Sequence, residues 1–315
     1  MNCLAGVDEA GLGPILGPLV VAGVTMRGPE GIDPWQGLAG VISRGRPAIG
    51  QIQVADSKKV KQGPHGMARL ERTVLSFWTA WHGSLPTCTE ELLEACGVDL
   101  GRLRRCPWYA DLSHRLPLHS SREDIELAAH LLRRTLAEVE IEILHMALRP
   151  VEVEEFNLLI ERTDNKSVAH FHAYAEVISA LLANMPDGSH LVADRCGGRS
   201  HYAQILRERC PDMTVQVIHE RVDSSAYRLL KDGRALRLTF ASRGEERAFP
   251  TALASCCAKY LRELLIYALN TWFCRQVPGL RRTAGYYVDG KRFLADIANF
   301  ASDRDLPMRR LIRIR

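Results

Sequence analysis

A chain of 315 residues with 46% hydrophobic and 25% charged side chains has the composition of a globular protein and excludes a disordered, collagen-like or low-complexity one. Forty-one Lys and Arg against thirty-seven Asp and Glu leave a net charge of +4, which permits a polyanionic partner without demanding one. No apolar run approaches the ~18 residues of a membrane span, and Met1–Glu9 lacks a basic n-region, so neither a span nor a secretory signal is expected.

In chain order, residues 3–7 and 19–25 read as two strands around a glycine-rich bend, the second β-branched throughout and suited to burial on both faces. Residues 27–50, rich in Gly and Pro, read as a loop insertion. A short strand follows at 52–55, and Asp56-Ser57-Lys58-Lys59 opens a helix with good capping residues. The segment from His82 to Leu118 is an excursion with short helices. Ser120 and Glu123 then stand in capping-box spacing ahead of a helical stretch. Between Glu138 and Leu148, acids and apolar residues alternate, and helix and strand compete. A helix is predicted over 167–184, a strand ending in Asp194 over 189–194, a helix over 201–209 and a strand over 214–219. Residues 227–241 read as a hairpin turning at 231–234, and 249–273 as a long helix whose first turns carry small residues. The basic stretch 303–315 reads as a solvated or amphipathic end. The order is that of an α/β chain with a mixed sheet.

Nine cysteines without a C-x-x-C pair point to reduced thiols and a cytoplasmic location, and no zinc spacing appears. Gly11-Leu12-Gly13-Pro14-Ile15-Leu16-Gly17 imitates a dinucleotide fingerprint, but that motif needs a helix directly after its glycines and here a strand follows, so no small-molecule cofactor is expected. What the segment offers is Asp8 and Glu9 at a strand end. Successive strand side chains point to opposite faces, so both acids can serve one site only if the backbone bends, and Gly11 and Gly13 permit a bend.

Three further signatures follow in fixed order: Val54 to Val60 containing Asp56-Ser57-Lys58-Lys59; Leu191 to Gly198 containing Asp194; and Arg243-Gly244-Glu245 ahead of the small-residue helix Ala252 to Lys259. With these the chain resembles the type 2 ribonucleases H, the RNase HII-like enzymes and their archaeal and eukaryotic relatives. Their opening G-[IV]-D-E-A-G-x-G-P-x-x-G-P is matched by Gly6 to Pro18, and their D-S-K-K by Asp56 to Lys59. The resemblance implies an RNase H-like α/β fold with a mixed central sheet flanked by helices. It implies Asp8, Glu9, Asp194 and Glu245 as catalytic carboxylates holding two Mg²⁺ or Mn²⁺ ions, because hard ions want oxygen donors and phosphodiester hydrolysis builds charge on two oxygens. It also implies Gly11, Leu12, Gly13, Lys58 and Tyr286 at the substrate, with Lys59 as a second phosphate contact.

The chain departs from the family pattern at several positions. Glu245 stands where an Asp is usual, and Asp223 is its rival. Leu12 replaces the arginine between the loop glycines, and the lysine before Tyr286 is missing. The expected activity is metal-dependent hydrolysis of the RNA strand of RNA–DNA hybrids or of ribonucleotides embedded in duplex DNA. The alternative is a nucleic-acid-binding paralogue with lost or altered catalysis. One domain is expected over 1–315, with insertions at about 27–50, 83–120 and 224–242 and a helical extension at about 277–315.

Overall fold

A computed structural model describes residues 1–314; Arg315, in the basic C-terminal stretch, lies outside the described residues. In chain order the elements are β1 (Asn2–Ala10), β2 (Leu19–Gly28), α1 (Pro34–Gly37), β3 (Ile42–Ser43), β4 (Ile52–Gln53), α2 (Ser57–Val60), α3 (Gly66–His82), α4 (Thr89–Ala95), α5 (Leu100–Leu103), α6 (Arg122–Glu138), β5 (Glu142–Val151), α7 (Val153–Thr163) and α8 (Lys166–Asn184). They continue as β6 (His190–Asp194), α9 (Ala203–Arg209), β7 (Thr214–Glu220), β8 (Ser224–Lys231), β9 (Arg234–Ala241), α10 (Gly244–Arg247), α11 (Phe249–Gln276), α12 (Tyr287–Asp296) and α13 (Ala298–Asp303).

The fold is α/β with a mixed central sheet flanked by helices, as expected. Its main sheet has seven strands in the order β5-β2-β1-β6-β9-β8-β7. The three central strands β1, β6 and β9 run parallel, and antiparallel strands extend the sheet on both sides. The hairpin read as an insertion at 224–242 thus supplies two of those strands, and β9 lies directly beside β6.

Each face of the sheet carries its own core. Val20, Ala22, Val24 and Met26 of β2 pack with α3, α6 and α11, while Leu19 and Val21 pack with α7 and α8 on the other side. A strand buried on both faces needs the continuous apolar run that β2 has. Helix α11 is apolar almost all round, which is the pattern of a helix inside a core rather than on its surface.

Locally the residues explain most boundaries. Asp56 caps α2 by accepting the Lys58 N–H at 2.9 Å, as its identity predicts. The helix it opens stops after one turn, and α3 starts afresh at Gly66. The cap of α6 is Ser121, whose Oγ accepts the Asp124 N–H at 3.1 Å, one residue later than the expected Ser120. Ser120 is engaged elsewhere, giving its hydroxyl to the Ala68 carbonyl and its N–H to buried Glu71. The contested stretch resolves as strand β5, with Ile143, Met146 and Leu148 turned into the core. The loop at 27–50 contains the helical turn α1, and its β3 pairs with β4.

Candidate active site

Register places the first two acids together. Val7 of β1 lies opposite Ala193 of β6, so Asp8 and Asp194 occupy the next step on adjacent parallel strands. Such neighbours stand ~4.8 Å apart at the backbone and project to one face. Here that face is covered by α11. Its N-terminal turns can approach because β1 has glycine at position 6, where a Cβ would come within 2.0 Å of the Thr251 nitrogen. Thr251 gives its hydroxyl to the Val192 carbonyl at 2.7 Å, and Ser255 lies close enough to Asp8 to oppose the rise in its pKa. Ser255 also meets Ser57 of α2 at 3.1 Å, so the Asp-Ser-Lys-Lys segment and the small-residue helix converge on Asp8.

The fourth acid arrives from the third parallel strand. Asp194 pairs with Ala241 at the end of β9, after which Arg243 takes a left-handed φ of 55° and turns the chain into α10. The Gly244 N–H donates to Asp194 Oδ1 at 2.9 Å. A Cβ on Gly244 would lie 3.1 Å from the Asp194 backbone, so this close approach favours glycine, and Glu245 follows it within reach of the Asp194 charge. Its rival Asp223 is two-thirds exposed and pairs with Arg247 at 3.6 Å.

Glu9 sits differently from the expectation. The β1–β2 ladder stays regular to Ala10, and the backbone turns only at Gly11, where φ is +99°. Glu9 therefore projects to the opposite face, where Tyr174 of α8 donates its hydroxyl to Oε2 and buried His170 approaches Oε1 at 3.6 Å. The two acids are nonetheless adjacent: the Glu9 N–H donates to Asp8 Oδ1 at 2.7 Å.

These carboxylates destabilise one another. Asp8, 7% exposed, is held well above the usual carboxylate range by burial and by the charges of Glu9 and Asp194. Burial pushes Glu9 up to about 7, with the Tyr174 hydrogen bond opposing and the Asp194 charge adding. Asp194 is raised by burial against the N–H groups of Gly244 and Arg195, and Glu245 by burial with the charges of Asp194 and Asp56. Like charges withdrawn from water, with the exposed Lys58 as the side-chain cation that favours ionisation of Asp194, are an arrangement a cation relieves. Among the described residues, no three His, Cys, Asp or Glu side chains already enclose a single ion position. The chemistry of the donor set, oxygen-only, fits a hard divalent ion rather than zinc.

Of the expected substrate residues, Gly13 is exposed, Gly11 forms the turn, and Leu12 packs on the core beneath α8. Lys58 is exposed, and its charge reaches Asp194; Lys59 is bound to Glu246 at 2.7 Å. Tyr286 is 52% exposed ahead of α12, with the Arg262 guanidinium 5.9 Å from its ring. Sequence reasoning missed Tyr174 and His170, although their i, i+4 spacing on α8 puts both on one helix face. It also read Asp56 as a cap alone, while its charge raises both Asp194 and Glu245. All nine cysteines are unpaired, and among the described residues no helix is long and apolar enough to cross a membrane.

No family model matches the chain, and no curated protein does. Similar solved structures include a chain of the PCNA:RNase HII complex from Archaeoglobus fulgidus, 17% identical, covering 99% of this chain and 94% of that one with a TM-score of 0.43. Ribonuclease H2 from Pyrococcus horikoshii is 14% identical over 98% of this chain and 92% of its own, with a TM-score of 0.41. Bst-RNase HIII in complex with Mn²⁺ is 14% identical over 99% and 66% respectively, with a TM-score of 0.42.

Proposed function

We propose that this chain is a type 2 ribonuclease H-like endonuclease that hydrolyses the RNA strand of RNA–DNA hybrids and cuts at ribonucleotides embedded in duplex DNA. The observation that supports the reading is that the charge of Asp194 reaches both Asp8 and Glu245 around the ends of the parallel strands, with Glu9 next to Asp8 and Lys58 at the rim.

Asp8, Glu9, Asp194 and Glu245 are the residues that would hold Mg²⁺ or Mn²⁺. When bound, such ions stabilise charge on the attacking and leaving oxygens and make water a better nucleophile. The chain's own part is positional. The Glu9 N–H orients the Asp8 carboxylate, and the Gly244 N–H orients Asp194. Tyr174 fixes Glu9, and Lys58, exposed at the rim, offers positive charge to the scissile phosphate. The backbone of Gly11 and Gly13 supplies the groups that can read a ribose 2′-hydroxyl, the feature that separates RNA from DNA. Leu12 cannot add a guanidinium there.

The competing reading is a hybrid-binding protein without catalysis, favoured by the Leu12 substitution and by the absence of a pre-enclosed ion position among the described residues. Titrating a labelled hybrid with and without Mn²⁺ separates them. The nuclease reading expects binding in both and cutting only with the ion; binding without cutting in Mn²⁺ and in Mg²⁺ supports the other.

A further inference from the structure

We infer that Arg262 and Arg313 are positioning residues for the substrate strand: two buried guanidiniums that fix the opening loop against the Tyr286 turn and supply the positive charge for a phosphodiester docked over that loop. The inference rests on the nuclease reading and deepens it.

Arg262 lies on α11 and Arg313 near the C-terminal end, and they are 1% and 4% exposed. Arg262 Nη2 donates to the Leu16 carbonyl at 3.3 Å and to the Ala284 carbonyl at 3.2 Å. Arg313 Nη1 donates to the Gly11 carbonyl, and its guanidinium lies 5.2 Å from the Phe156 ring. Among the described residues neither cation has a carboxylate within 4.0 Å, and Arg262 Nε, Arg313 Nε and Arg313 Nη2 are buried without a partner. Glu263, next to Arg262 in the chain, is already bound by Lys61 at 2.7 Å and Lys259 at 2.8 Å. Each guanidinium also feels the other as a like charge.

The surrounding backbone is built around these groups. A Cβ on Gly11 would fall 2.4 Å from Arg262 Nε. On Gly285, with φ +82°, it would fall 2.6 Å from the Leu16 carbonyl oxygen and 3.3 Å from Arg262 Nη2. The N–H groups of Ile15 and Leu16 donate to the Gly285 carbonyl at 2.8 and 3.2 Å, and the Arg313 N–H donates to the Ile15 carbonyl at 2.9 Å. Loop, turn and C-terminal segment thus close on one pair of cations.

Buried cations with no counter-ion among the described residues are costly, and two of them holding one loop suit an anion that docks over it. In a low-dielectric interior their field reaches the loop surface with little screening. Leu12, packed on the core, carries no charge, so the loop itself offers no side-chain cation and positive potential for a backbone phosphate has to come from beneath it. Arg262 and Arg313 stand there.

The test compares wild type, Arg313→Lys and Arg313→Met in Mn²⁺-dependent cleavage of a labelled RNA–DNA hybrid, together with the Tm of each protein alone and with uncleaved hybrid in EDTA. Loss of a charge-assisted contact to the loop is expected to raise KM about tenfold in Arg313→Met, with kcat within about twofold of wild type. Lysine, which keeps the charge and a donor, should restore most of the KM. The Tm of free Arg313→Met should equal or exceed that of wild type, because an unpaired buried charge has been removed, and its rise on adding hybrid should shrink. An unchanged KM overturns the inference, as does an Arg313→Met protein that melts lower than wild type or fails to fold, since either marks the arginine as scaffold. With wild type cutting normally, those results leave the nuclease reading intact. A wild-type protein that neither binds nor cuts hybrid removes that reading, and this inference with it.

Discussion

Two charged regions flank the opening loop, and they are opposites. Around the strand ends, Asp8 is a buried carboxyl and Glu9, Asp194 and Glu245 are part-buried ones, all with pKa values raised and with exposed Lys58 as the cation acting on Asp194. Beneath the loop, Arg262 and Arg313 are buried cations with no anion within reach among the described residues. A protein shaped only for stability would bring the two sets together. Keeping them apart is the arrangement suited to a ligand carrying both signs: divalent ions for the acids and phosphates for the arginines. The acids sit within recognisable motifs, whereas the arginines are gathered from a helix and a terminal segment 51 residues apart in sequence (313 − 262).

The largest expected effect bears on membership of the anionic region. Glu245→Gln should lower Mn²⁺-dependent cleavage by about a thousandfold, because several kcal/mol of transition-state stabilisation pass through each ion ligand. Asp223→Asn should stay within about threefold of wild type, being exposed and paired with Arg247. Rates measured side by side decide it; the reverse pattern would put Asp223 in the site.

Gly244→Ala tests the geometry rather than the charge. Its Cβ would press on the Asp194 backbone at 3.1 Å and shift the start of α10, and a displacement of that kind costs about a hundredfold in rate. A crystal structure of the variant should show Glu245 moved away from Asp194; wild-type kinetics would mean that the turn tolerates the methyl group.

Next in size is stability against pH. Glu9 has a folded-state pKa raised from 4.5 to about 7, so the stability it contributes is fully present below about pH 4.5 and lost as pH rises through about 7. Denaturant unfolding without divalent ions should therefore show wild type weaker at pH 8 than at pH 5. Glu9→Gln should be roughly 1–3 kcal/mol more stable than wild type at pH 8 and close to it at pH 5. Equal pH slopes in the two proteins would mean that Glu9 is ionised at no cost.

The smallest effect is a control remote from both regions. Ser121→Ala should cost about 1 kcal/mol through loss of the α6 cap. Unfolding midpoints measure it, and no change in cleavage is expected.

That last pair of serines also shows where sequence reading stops. The S-x-x-E spacing pointed to Ser120, yet Ser120 is committed to Ala68 and Glu71 on α3, a partner 49 or more residues away that local spacing cannot reveal. The same limit recurs at larger scale. Asp8 and Asp194 are legible as acids near strand ends followed by glycine, and Glu245 through its offset to the small-residue helix, all local signals. That Asp8 and Asp194 follow the last paired step, Val7 with Ala193, depends on a pairing across 186 residues (193 − 7), known only from the register. The face taken by Glu9 was open in sequence; the regular β1 ladder decided it, sending the side chain to Tyr174. The hairpin at 224–242 looked like an appendage because its turn is local, while its place beside β6 is not. Arg313 read as part of a basic tail. Its meaning lies in the Gly11 carbonyl it holds, at the other end of the chain.

The most direct test of the central claim is cleavage of a labelled RNA–DNA hybrid by wild type and by Asp8→Asn in Mn²⁺, with folding of both checked by circular dichroism. The account predicts that wild type cuts the RNA strand, leaving 3′-hydroxyl and 5′-phosphate ends, and that the folded variant leaves it whole. A wild-type protein inert in both Mn²⁺ and Mg²⁺, or an Asp8→Asn variant cutting as fast as wild type, would contradict it.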